Sequence, residues 1–258
     1  MRHGFLDQDA YLDSPIHRLD ARAKILGFLG AIVVYVSTPP QAYASFAVYA
    51  ASLALLVALS RLPVLRLLRR SLVVVPFVLM VVVFAPFLEA HGTGGGYNLG
   101  IRGGDGIVAA TPGMVVWNAA AKSFLSALTA ILLTSTTPFA GLLQGFRRLH
   151  VPQVIVMLLS FAYRYLFVLV DELHRLRLAH DARGYRGRWL WHASSLGHLV
   201  GALFLRTYER GERVYLAMVS RGFEGRFHYL PAAPMRPADA VFLAAFLGAV
   251  LASRLVLS

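Results

Sequence analysis

Five apolar runs govern what this chain can become: Ile25–Ser37, Gln41–Ser60, Leu72–Leu88, Met114–Thr134 and Ala238–Leu257. Crossing a bilayer takes about 20 mostly apolar residues in a helix that rises about 1.5 Å per residue. Four of the runs are long enough or nearly so. The first covers only about 20 Å and draws on Ala21–Lys24, where Arg22 and Lys24 are expected to snorkel to the headgroups. Thr38-Pro39-Pro40 predicts a tight turn, because proline rarely continues a helix. Only 15% of the 258 residues are charged, against about 25% in soluble domains. The expected fold is therefore all-α: a polytopic membrane protein with about five transmembrane helices and a cytoplasmic helical domain. No cleavable leader is expected, since Met1–Lys24 is polar and has no apolar core.

The formal net charge of +12 would suit nucleic acid, an anionic membrane surface or an acidic partner. Its placement says more. Arg2, Arg18, Arg22 and Lys24 precede the first span, and Arg61, Arg66, Arg69 and Arg70 separate the second from the third. The turn at Thr38–Pro40 has no basic residue, and Glu89–Gly113 has only Arg102. Pro138–Pro237, by contrast, carries fourteen arginines. Basic loops stay on the cytoplasmic side, so the N-terminus and the long segment are expected inside and the C-terminus outside. The glycine-rich stretch Ala90–Gly106 then lies outside. It lacks the Gly-Lys-Ser/Thr of a phosphate loop and is expected to be a flexible connection. Three regions follow: 1–137 with four spans, 138–237 as cytoplasmic helices, and 238–258 as the last span.

Within the long segment a short helix, Phe139–Leu149, is expected to end before Pro152. A long helix runs from Gln153 to about Ala182, and another from Ser195 to about Ser220. Val154–Val170 is nearly all apolar but holds Arg164 in its middle, which is costly in lipid. A span there would also place Arg175–Arg226 outside. This half is therefore expected to lie along the bilayer rather than through it.

Both long helices end in the same pattern. Ala182-Arg183-Gly184-Tyr185-Arg186-Gly187-Arg188 returns as Ser220-Arg221-Gly222-Phe223-Glu224-Gly225-Arg226. Each reads small-Arg-Gly-aromatic-x-Gly-Arg. Glycine just past a helix end adopts the left-handed conformation that closes it, and arginine there complements the negative end of the helix dipole. The product is a guanidinium held at a rigid tip, able to make a forked pair with a carboxylate. Two ordinary helix caps would look the same one at a time; their recurrence in the one basic segment favours a shared role. Arginine-glycine binding to nucleic acid needs a longer disordered array and is not expected.

These paired motifs resemble those of the transmembrane T component of energy-coupling factor (ECF) transporters. Tyr11–Lys24 is similar to the start of the cobalt type, CbiQ, as are Thr136-Thr137-Pro138 and Arg148-Leu149-His150-Val151-Pro152. The resemblance implies a coupling subunit that hydrolyses nothing itself. Two cytoplasmic ATPases, which carry the ATP and Mg, would dock on Arg183 and Arg221, with Ala182, Gly184, Ser220 and Gly222 holding the arginines in place. A separate membrane S component would capture the substrate, here cobalt, although related T components serve nickel or vitamins. The location implied is the cytoplasmic (inner) membrane.

No metal site is expected in this chain. His174 and His180 are six apart, as are His192 and His198, a spacing that suits no common helical ligand pair; Met1-Arg2-His3 is the remaining chelating possibility. The absence of cysteine excludes thiolate ligands and a cysteine nucleophile. No paired carboxylates or other catalytic cluster is found, so an enzyme is not expected. Asn118 and Lys122 stand one turn apart inside the fourth span, where they either face an S component or polar cavity or mark a helix end. The alternative within transport is the permease of a conventional ATP-binding cassette importer. A membrane anchor for a cytoplasmic complex is a third possibility.

Overall fold

A computed structural model of the chain describes residues 14–39, 41–80, 97–103, 106–110, 112–184, 193–225 and 235–257. It resolves into two compact units, one of Arg2–Gly145 with Ala233–Ser258 and one that takes in Phe146–Ala232.

The first unit is a helical bundle built around its shortest apolar helix. Helix α1 (Ala21–Ser37) is capped by Asp20, whose carboxylate accepts the Arg22 N–H. It packs against α4 (Pro112–Thr136) and α8 (Pro237–Leu257), while α2 (Tyr43–Ser60) packs against the same two. Gly30 lets α1 sit close to α8, while a Cβ on Gly27 would make only an ordinary contact. A Cβ on Gly30 would lie 2.9 Å from Leu247 Cδ2, and one on Gly27 3.5 Å from Phe246. Small residues at a membrane helix crossing allow this approach. Phe28 fills the space beside them, edge-on to Phe246 with 5.8 Å between ring centres. At the far end of α1, Thr38 Oγ1 bonds the Val34 carbonyl and shares a 3.1 Å hydrogen bond with Tyr49 Oη of α2.

The opposite faces remain apolar and bare. Val33, Leu55, Val241 and Leu255 are all exposed, Leu255 at 83%. In water such surface would drive association; against lipid tails it costs nothing. By length and composition α2, Val116–Thr136 of α4 and Pro237–Val256 of α8 can cross a membrane. With 17 residues, α1, expected as the short first span, reaches about 25 Å and is not among the helices long enough to cross by this measure. The expected third span, Leu72–Leu88, lies partly outside the described residues; Leu72–Val74 is a 3-10 turn and 75–80 is helical.

Two departures concern the connections. The basic link after α2 folds into α3 (Val64–Ser71), where Leu67 is buried and Arg70 Nη1 donates to Ser135 Oγ at 3.1 Å. The glycine-rich stretch read as a flexible loop carries an antiparallel hairpin, β1 (Tyr97–Gly103) with β2 (Gly106–Ala110), paired from Tyr97↔Ala110 to Gly103↔Gly106.

Helix α5 (Phe139–Arg148) follows Pro138, and the boundary between the units falls inside it. In the bundle, a Cβ on Gly145 would stand 2.6 Å from Ile25 Cδ1 and 3.4 Å from the Ala21 backbone carbon, so α5 rests directly on the start of α1. The helix closes with His150 in the left-handed region (φ 62°) and Val151 N–H on the Phe146 carbonyl. The second unit is then dominated by α6 (Gln153–Ala182) and α7 (Ala193–Val219), which pack on each other. At 30 residues α6 is about 45 Å long. It too has the length and hydropathy to cross a membrane, a property of the same apolar half that the sequence reading laid along the bilayer.

Candidate functional site

The two repeated motifs are built alike. At the end of α7 the Gly222 N–H bonds the Val219 carbonyl at 2.9 Å and the Phe223 N–H bonds the Met218 carbonyl at 3.0 Å. This is the paired closure of a Schellman motif, with Arg221 as the capping residue and Gly222 left-handed at φ 82°. The end of α6 repeats its inner half: the Gly184 N–H bonds the Asp181 carbonyl at 3.0 Å, Arg183 is the cap, and Gly184 has φ 80°. Nothing lies within 4 Å of a Cβ placed on either glycine. Both are there for backbone conformation, not to make room for a neighbour. Ala182, Arg183, Ser220 and Arg221 are all exposed, and among the described residues neither arginine enters an ion pair. Tyr185–Arg188 and Arg226 lie outside the described residues; Gly225 repeats the left-handed turn at φ 80°.

Each tip is thus an unshielded cation on a closed helix end, held by two backbone hydrogen bonds at the end of α6 and four at the end of α7. Such a group suits a carboxylate on a partner surface, which a planar guanidinium grips through two parallel bonds.

What joins the helices behind the tips could not be read along the sequence. Glu172 of α6 forms a charge-assisted hydrogen bond with Arg206 Nη1 of α7, 34 positions away. The Arg206 side chain is 57% exposed, so screening by solvent limits what this pair adds to stability. Beneath the pair lies a cavity of about 250 Å³ lined by Phe161, Tyr165, Leu169, Val214 and Met218. In the sequence, Leu169, Leu173 and Leu176 share a helical spacing that marks an apolar face but does not name its partner.

Asn118 and Lys122 follow one another up the same face of α4. Asn118 is 8% exposed, and among the described residues its Oδ1 finds no partner. Lys122 Nζ donates to the Val36 carbonyl at 2.9 Å, satisfying one of the open carbonyls at the end of α1. Lys24 departs from expectation. It does not snorkel: it is 1% exposed, and its Nζ donates to the carbonyls of Thr136 (3.0 Å) and His17 (3.2 Å). The α4 terminus lies beside the first turn of α1 and offers the ammonium protein acceptors in place of headgroups.

Among the described residues no group of three His, Asp or Glu side chains could hold a metal ion. His174 and His198 are exposed; His192 and Met1-Arg2-His3 lie outside the described residues.

The lipid-facing helices define the class: a multi-pass helical membrane protein. Its comparison with known proteins narrows this further. The profile described as "CbiQ: Cobalt transport protein" matches residues 13–229. The chain belongs to this family, which includes the T components of ECF transporters. It is similar to the putative fused cobalt transport protein CbiMQ of Methanocorpusculum labreanum, 29% identical over 84% of this chain and 36% of that one. It is similar to the ECF transporter transmembrane protein EcfT of Listeria innocua, 26% identical over 83% of this chain and 82% of the other. It also resembles the nickel permease LarQ of Lactiplantibacillus plantarum, 33% identical over 41% and 38% of the two chains. In two of these curated relatives the matched region spans little more than a third of their length, 36% of the fused protein and 38% of the nickel permease.

Proposed function

We propose that this chain is the coupling subunit of an ATP-driven ECF-type importer of cobalt. Its two arginine-capped helices receive the movement of two cytoplasmic ATPases and pass it to a separate S component that captures the ion. The observation that carries this reading is the duplicate tip: the same capped arginine, at the end of two neighbouring helices that are braced to each other by Glu172 and Arg206. One tip would serve one docking surface. Two suit a pair of related motors. The arginine distribution supports a chain lying in the cytoplasmic membrane with its N-terminus and both tips inside, and α6 running along the bilayer. ATP and Mg belong to the partners; the chain itself is not an enzyme and carries no cofactor. The choice of cobalt rests on the family's description and on Tyr11–Lys24. Asn118, whose Oδ1 finds no partner among the described residues, and Lys122 beside it are the residues offered to the S component or a polar path.

The test is purification of the tagged chain from its own membranes in mild detergent, followed by mass spectrometry and by uptake of radiolabelled cobalt(II) and nickel(II). Two ATPase subunits and one small membrane protein per chain are expected, with cobalt preferred. A homodimer without a separate capture protein would instead identify a conventional permease.

A further inference from the structure

The arm that bears Arg183 and Arg221 is joined to the bundle by two stretches of chain, one running through α5 after α4 ends at Thr136 and one returning into α8 at Arg236. Both are tied to a single buried cluster of charge. Lys24, at the start of α1, donates to the Thr136 carbonyl at 3.0 Å. Asp239, in the first turn of α8 and 3% exposed, accepts the Arg236 N–H at 2.9 Å through one oxygen and the Asp20 N–H at 2.9 Å through the other. Lys24 and Asp239 meet through the first turn of α1, where the Lys24 N–H bonds the carbonyl of Asp20 at 3.3 Å. Lys24 also holds the His17 carbonyl, and His17 Nδ1 is 2.6 Å from Ser14 Oγ, so the strand of chain before α1 is gathered into the same knot.

Burying such charges is expensive, and well-packed apolar residues of similar volume often serve stability as well or better. Simple capping of α8 or of α1 needs neither a buried lysine nor a carboxylate shared between two chain segments 219 residues apart. What this cluster achieves, and apolar packing would not, is directional fixation of both roots of the arm to α1. We propose that Lys24 and Asp239 are positioning residues for energy coupling. They clamp the two roots so that displacement of the arginine tips moves α1, α4 and α8, instead of being lost as swivel in the connections. This rests on the coupling role assigned above.

The experiment uses the assembled complex in its native membrane, with three variants of the tagged chain: K24M, which removes the donor; D239N, nearly isosteric, which removes the charge and turns one acceptor into a donor; and K24R, which keeps charge and donors. ATPase capture, ATP hydrolysis and cobalt(II) uptake are measured together. K24M and D239N are expected to capture ATPase and hydrolyse ATP as the unmodified chain does, while uptake per ATP falls about tenfold, a coupling change of ordinary allosteric size. K24R is expected to stay within about threefold of the unmodified ratio. An unchanged ratio in both K24M and D239N overturns the proposal, as does a loss in K24R equal to that in K24M. Failure of D239N to reach the membrane makes the cluster a folding element and overturns it too. If the unmodified chain captures no ATPase, the coupling role itself falls, and this inference with it.

Discussion

Replacing Arg183 and Arg221 together by alanine is expected to abolish ATPase capture and cobalt uptake while the chain still enters the membrane. Both side chains are exposed, and their caps are formed by backbone groups that alanine leaves untouched. Stability should therefore change little. Binding should not be spared. A hydrogen bond to a charged group contributes about 1.5–3 kcal/mol, so two lost arginine contacts weaken docking by about 3 kcal/mol or more, which is a factor of at least about 100. Either single variant is expected to fall between. R183K and R221K should recover only part of the loss, because an ammonium keeps the charge but not the fork. Capture by tagged complex and uptake in cells measure both.

The second large effect concerns the glycines, and it separates geometry from charge. In G184V and G222V the arginines remain, yet each valine meets a φ near 80°. The left-handed conformation costs an L-residue about 1–2 kcal/mol, and a β-branched residue is a stronger outlier there. With open space around both positions, the chain can escape that strain by unwinding the last turn, and the guanidinium then loses its fixed place. Uptake by the double variant is expected to fall about tenfold, the equivalent of roughly 1.4 kcal/mol, with normal amounts in the membrane. Asparagine tolerates this conformation, so G184N and G222N should transport almost normally. Were valine and asparagine equally harmful, the closed helix end would not be what matters.

These ends were legible because helix closure is local. Gly184 and Gly222 announce the left-handed residue, and the arginine before each follows from position alone. The apolar runs were legible for a similar reason, since the bilayer imposes a minimum length on a segment whatever it packs against. Lys24 shows where this stops. An ammonium near the end of an apolar run reads as snorkelling, and only the folded bundle brings the Thr136 carbonyl, 112 positions away, within 3.0 Å. The Glu172–Arg206 brace and the hold of Asp239 on Asp20 are of the same kind. Periodicity names the face of a helix but not its partner. The basic link after α2 was read by charge alone; its leucines and arginines also share a helical period, which α3 uses to bury Leu67.

With no cysteine in the sequence, single thiols report sidedness without background. The most direct measurement places Cys at Arg183, Arg221 and, as exterior reference, Pro39, and treats intact cells with a membrane-impermeant maleimide. P39C is expected to label in intact cells, and R183C and R221C only after the membrane is opened. Labelling of R183C or R221C from outside would contradict the cytoplasmic placement of the tips.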